Sequence, residues 1–81
     1  MRSAVIDGGK LRETREDREL SGTVLAALLT QELGRNVYPS TIYRLESGKR
    51  QPSPKLFGAL CRILRCTKAD LIVLSTPEGD L

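Results

Sequence analysis

The chain has 81 residues, 40% of them hydrophobic and 28% charged, with a formal net charge of +3. That length suits one domain of modest stability and leaves no room for a second. No apolar run is long enough to span a bilayer, and Met1 to Asp7 lack the apolar core of a signal peptide, so a cytoplasmic location is the default expectation. Histidine is absent and there are two cysteines, which takes away the commonest general base and the usual zinc ligands.

The only aromatic residues are Tyr38, Tyr43 and Phe57, no β-branched alternation is found, and the apolar spacing is helical, so an all-α fold is expected. Residues 1–8 read as an N-terminal arm. A first helix is predicted from about Gly9 to Arg18, with few apolar contacts beyond Leu11 and the stems of Arg12 and Arg15. Ser21 is a good N-cap, and Val24, Leu25, Leu28, Leu29 and Leu33 share one broad face of a second helix. Gly34 stops this helix by adopting the left-handed C′ conformation. Arg35 to Pro39 reads as a turn, with Asn36 suited to positive φ and Pro39 to the first helical position. A short third helix runs from Pro39 or Ser40 to Ser47. It turns Ile42 and Leu45 inward and Ser40, Thr41, Tyr43 and Arg44 outward, and Gly48 ends it. After the link Lys49-Arg50-Gln51-Pro52, Ser53 as N-cap and Pro54 at N1 start a fourth helix with a stripe of Leu56, Phe57, Leu60, Ile63 and Leu64. Thr67 and Asp70 have the form of a capping box opening a fifth helix through about Leu74. The domain is thus placed at residues 9–74, with 75–81 as a frayed tail. Cys61 and Cys66, five apart on a helical pattern, are expected on different sides and unpaired, as reduced core residues.

Charge is unevenly spread. Residues 1–34 are close to neutral, whereas residues 35–68 carry eight basic side chains against the single Glu46, a net +7. A segment this basic is suited to phosphate, although a solvated basic face is the plainer alternative. The third helix weighs on that choice. An outer face of Ser40, Thr41, Tyr43 and Arg44 beside Lys49 and Arg50 fits a DNA major groove, which admits one α-helix and offers arginine a bidentate partner in guanine.

The residues Leu11-Arg12, Arg15, Leu20-Ser21, Leu25-Ala26, Val37, Ser40-Thr41-Ile42, Arg44-Leu45-Glu46-Ser47-Gly48-Lys49-Arg50, Pro52-Ser53 and Leu60 through Leu71 resemble the Cro/repressor-type (XRE-like) helix-turn-helix family of phage, plasmid and bacterial regulators. The resemblance covers about residues 9–74. It implies a lambda-repressor-like five-helix DNA-binding domain whose second and third helices form the motif, and the function of a Cro-like repressor with no cofactor and no metal. It further implies that Ser40 and Arg44 face base edges, that Pro39 and Tyr43 shape readout through apolar contacts, and that Thr41, Lys49 and Arg50 fall to phosphates. An ion pair between Arg15 and Glu46, bracing the recognition helix, is also implied. Two departures stand out. About six extra residues separate Ala26 from Glu46, which we expect to lengthen the second helix, with Asn36 in the place of the usual turn glycine. Gly22 stands where the family often has a polar side chain, leaving its backbone N–H beside Thr23 for phosphate contact.

Such regulators usually bind two-fold operators, so a homodimer on a near-palindromic site is expected, held by the apolar residues of the fifth helix and tail, Leu71 to Leu74, and completed on DNA if not before. An antitoxin or protein-binding adaptor built on the same fold is the alternative. An enzyme finds little support, because Asp7, Asp17 and Glu32 form no evident pair and Gly8-Gly9-Lys10 is too little for a phosphate loop.

Overall fold

The computed structural model describes residues 5–73. In chain order these form β1 (Val5–Ile6), α1 (Gly8–Asp17), α2 (Gly22–Leu33), α3 (Pro39–Glu46), α4 (Pro54–Leu64), α5 (Lys68–Leu71) and β2 (Ile72–Val73). The fold is all-α, with one two-residue ladder added. Helix α1 packs on α3 and α5, and α2 packs on α3 and α4. Between them lie Leu11, Leu25, Leu29, Ile42, Leu45, Leu60, Leu64 and Leu71, all without solvent exposure.

Four of the five helices start on a side chain that satisfies orphaned N–H groups of the first turn, whereas α3 follows Tyr38 with no side-chain cap and has Pro39, which lacks an N–H, at its start. The Asp7 carboxylate accepts from Gly9 and Lys10, Ser21 Oγ from Val24, Ser53 Oγ from Leu56, and Thr67 Oγ1 from Asp70. The Asp70 carboxylate returns the bond from the Thr67 N–H at 2.9 Å, which completes the capping box and holds this carboxyl below the usual carboxylate range. Helix α1 begins one residue earlier than expected because Asp7 is its cap.

The helix ends are more varied. Gly34 (φ 70°) and Gly48 (φ 80°) take the left-handed conformation after α2 and α3. Asn36 does not, contrary to expectation, since Gly34 has already turned the chain. After α1 and α4 the same conformation falls on Glu19 (φ 59°) and Arg65 (φ 56°), which have side chains. Beyond them the Leu20 N–H donates to the Arg15 carbonyl at 3.2 Å and the Cys66 N–H to the Cys61 carbonyl at 3.1 Å, the six-to-one bond of a Schellman turn. Arg18, the C-cap of α1, supplements the α4 end, its Nε donating to the Leu64 carbonyl at 2.7 Å.

That turn corrects the expectation for the cysteines. Cys66 lies beyond the end of α4, where Arg65 folds the chain back, so Cys61 and Cys66 are hydrogen-bonded neighbours and not residues on opposite sides. They are free thiols, half-buried against the core. Burial pushes both up in pKa, and the adjacent Cys61 helps to push Cys66 up to about 11.

The fifth helix is also shorter than expected. It ends at Leu71, because the backbone becomes extended at Ile72 (φ −95°, ψ 154°) and pairs antiparallel with the start of the chain, Val5 with Val73 and Ile6 with Ile72. The Asp7 N–H extends the ladder to the Leu71 carbonyl at 2.7 Å. Ile6, expected in a separate arm, is 3% exposed and belongs to the core. The tail expected at residues 75–81, and Leu74 before it, lie outside the described residues.

Candidate nucleic-acid interface

Helices α2 and α3 meet through a turn that one hydroxyl organises. Thr30 Oγ1 accepts from the Val37 N–H at 2.9 Å, and lies 2.9 Å from the Ala26 carbonyl and 3.2 Å from the Val37 carbonyl, either of which its single proton can reach. The turn is thereby stitched to the body of α2. Helix α2 runs as far as Leu33, and the connection from Gly34 to the N-cap Tyr38 leads into α3.

Pro39 stands at the start of α3, and Ile42 and Leu45 anchor the helix from behind without any exposure. The opposite side is open. Ser40 and Arg44 are exposed, Tyr43 is 51% exposed, and Pro39 and Thr41 are half-buried at the margin. Lys49 and Arg50 follow directly on the exposed loop. Among the described residues Arg44, Lys49 and Arg50 have no carboxylate partner, since the ion pairs fall to Arg12, Arg15 and Arg62. Arg35, Tyr38, Thr41 and Arg50 line a cleft of about 240 Å³ beside the first turn of α3. Positive charge therefore flanks α3 at its start and at its end.

Two contacts fix where α3 sits. Arg15 of α1 grips Glu46 through two parallel bonds, Nε to Oε2 at 2.6 Å and Nη2 to Oε1 at 3.1 Å, with side chains only 10% and 8% exposed. Its remaining Nη1 donates to the Leu20 carbonyl at 2.8 Å, so the guanidinium is satisfied on every side that faces protein. The bond to Glu46 raises the pKa of Arg15 further still, against the opposing effect of burial. The second contact is backbone on backbone. A Cβ at Gly8 would lie 2.1 Å from the Glu46 carbonyl oxygen and 2.8 Å from that of Leu45, so the first turn of α1 touches the last turn of α3 directly. Nearby, Gln51 Oε1 accepts the Ile6 N–H at 2.9 Å and ties the loop after α3 to β1.

At the start of α2, Thr23 is exposed, whereas Gly22 is buried beneath the ring of Tyr43. A Cβ at position 22 would lie 2.8 Å from Cε1, Cζ and Oη of Tyr43. Gly8, Thr30 and Gln51 join the residues that position the interface without having been expected from the sequence. Of these only Gly8 left a signal, in the pair of glycines following Asp7. No group of three or more metal-ligating side chains occurs among the described residues, and no helix there is long and apolar enough to cross a membrane.

A tight two-helix unit with the second helix turned outward is the architecture of the helix-turn-helix class. A family model described as a helix-turn-helix domain matches residues 8–72, and the chain belongs to that family. No curated protein matches it. Among solved structures, the clp gene regulator ClgR from Corynebacterium glutamicum superposes with a TM-score of 0.66 at 28% identity, over 78% of this chain and 61% of that one. The present chain thus spans less than two thirds of the ClgR chain.

Proposed function

We propose that this protein is a sequence-specific regulator of transcription that binds double-stranded DNA with α3 in the major groove. The observation that carries the reading is the outer face of α3, where Ser40, Tyr43 and Arg44 are exposed on a helix braced from behind, with the unpaired cations of Lys49 and Arg50 immediately after it. In this reading Arg44 and Ser40 meet base edges, while Pro39 and Tyr43 shape the fit through apolar contact. Gly22, Thr23, Thr41, Lys49 and Arg50 hold phosphates and set the register. The family, and the resemblance to the clp gene regulator ClgR, support the same reading.

The finer reading is of a Cro-like repressor, acting in the cytoplasm as a homodimer on a near-palindromic operator with half-sites about 34 Å apart. Leu71 is committed to the core and Ile72 to the ladder, so a dimer contact through α5 has to draw on the exposed residues of that helix and on the chain after it.

Selection of bound duplexes from a random pool supplies the operator, and titration of that duplex tests the assignment. Arg44→Ala is expected to lose about 1–3 kcal/mol of binding and to relax preference at one base position. Unchanged affinity and unchanged preference would remove α3 from the interface.

A further inference from the structure

Tyr43 is a large side chain on the open face of α3 that lies against the start of α2, the other helix of the motif. Its ring rests on the first residue of α2 so closely that all three nearest atoms, Cε1, Cζ and Oη, stand 2.8 Å from where a Cβ of residue 22 would be. Real Cβ atoms do not approach other heavy atoms to that distance, so the observed placement of the ring requires glycine. The backbone conformation gives Gly22 no reason to be glycine. It lies in the first turn of a regular helix, after an N-cap whose Oγ already accepts the Val24 N–H, and it has no positive φ. There alanine would be the better helix former.

We propose that Gly22 is a positioning residue for the DNA-facing surface: by lacking a side chain it lets the Tyr43 phenol lie back over the start of α2, which keeps the outer face of α3 low enough to enter a groove. The inference rests on the reading that α3 faces DNA. With a methyl group at position 22 the ring must leave α2. Ile42 and Leu45 fill the space behind α3, so a shift toward the core is blocked and the ring must move along or off the outer face, where the groove wall would lie. The displaced group is the exposed end of a side chain and not backbone, so the fold should tolerate the change while the docking surface does not. The same contact explains how this chain departs from the polar residue that the family resemblance leads one to expect at position 22. A longer side chain there and a tyrosine at position 43 in this placement exclude one another.

The test is a double-mutant cycle in the full chain, read on the duplex that the wild-type protein selects from a random pool, with thermal unfolding measured in parallel. Gly22→Ala is expected to weaken binding about tenfold while leaving the melting temperature within a few degrees of wild type. In the Tyr43→Ala background the same change is expected to cost nothing further, because no ring remains to be displaced. Wild-type affinity in Gly22→Ala, or losses from the two substitutions that simply multiply, would overturn the proposal. Should Gly22→Ala be markedly unstable, Tyr43→Ala must restore its stability, and failure to do so overturns it equally. Arg44→Ala in the same assay separates the two levels of inference. If it binds as wild type, the placement of α3 on DNA fails. If it binds weakly and only the Gly22 arm fails, the positioning role alone is lost.

Discussion

Glu19 and Arg65 occupy backbone conformations that L-residues with side chains avoid at a cost of about 1–2 kcal/mol each. Both are exposed, so nothing but local geometry speaks against replacing them. Glu19→Gly should stabilise the protein by roughly 0.5–1 kcal/mol and raise the melting temperature by several degrees, as thermal denaturation would reveal. Glu46 presents the opposite case. Among the described residues its carboxylate is the one within ion-pair distance of the buried Arg15 guanidinium, and deleting it leaves Arg15 charged, desolvated and bonded only to the Leu20 carbonyl. Glu46→Ala should cost about 3–5 kcal/mol, a large part of what a domain this small possesses, and chemical denaturation would register it as a lower midpoint. A loss below about 1 kcal/mol would mean that water replaces the carboxylate.

Helix α3 is short, eight residues, and an isolated helix of that length is not stable in water. What makes it a rigid rod is its surroundings: Ile42 and Leu45 in the core, the Arg15 clamp, and the backbone contact of Gly8 with its last turn. Gly8→Ala forces a methyl group onto a backbone carbonyl that cannot rotate away, so α1 and α3 must separate. We expect a loss of about 2 kcal/mol or more, with weakened DNA binding accompanying the lower melting temperature.

The elements themselves were legible in the sequence wherever a local rule sufficed. Ser21, Ser53 and Thr67 announce helix starts, Gly34 and Gly48 announce ends, and the inward pair of Ile42 and Leu45 follows from helical spacing. What the sequence hid was tertiary. The close approach of Gly8 to Glu46, the seating of Tyr43 on Gly22 and the stitch of Thr30 to Val37 join residues whose meeting depends on how helices cross. Glu19 and Arg65 at positive φ broke the glycine rule used to locate helix ends, and so Cys66 was read as continuing a helix that had already closed. The two-residue ladder is too short to leave any alternation pattern. On the candidate interface, the exposure of Ser40, Tyr43 and Arg44 could be anticipated from one helical face, but the orientation of the Tyr43 ring could not.

At the scale of the whole molecule, charge is segregated. The exposed face of α1 sets Lys10 and Arg12 against Glu13, Glu16 and Asp17, close to neutral, while Arg35, Arg44, Lys49 and Arg50 gather around α3. A duplex is attracted to the side that carries α3, which favours a productive encounter and makes it sensitive to ionic strength. Lys49→Ala should lower affinity for every duplex alike and reduce the slope of log affinity against log salt by about 0.9, the value for one phosphate contact, in a titration series over salt.

The ladder of Val5–Ile6 with Ile72–Val73 has an outcome for anything attached to this domain. Both ends of the described chain leave from one point on the surface, held there by paired backbone. Cargo joined directly to Val5 or to Val73 would therefore start from the same corner, at almost the same distance from a duplex bound on α3.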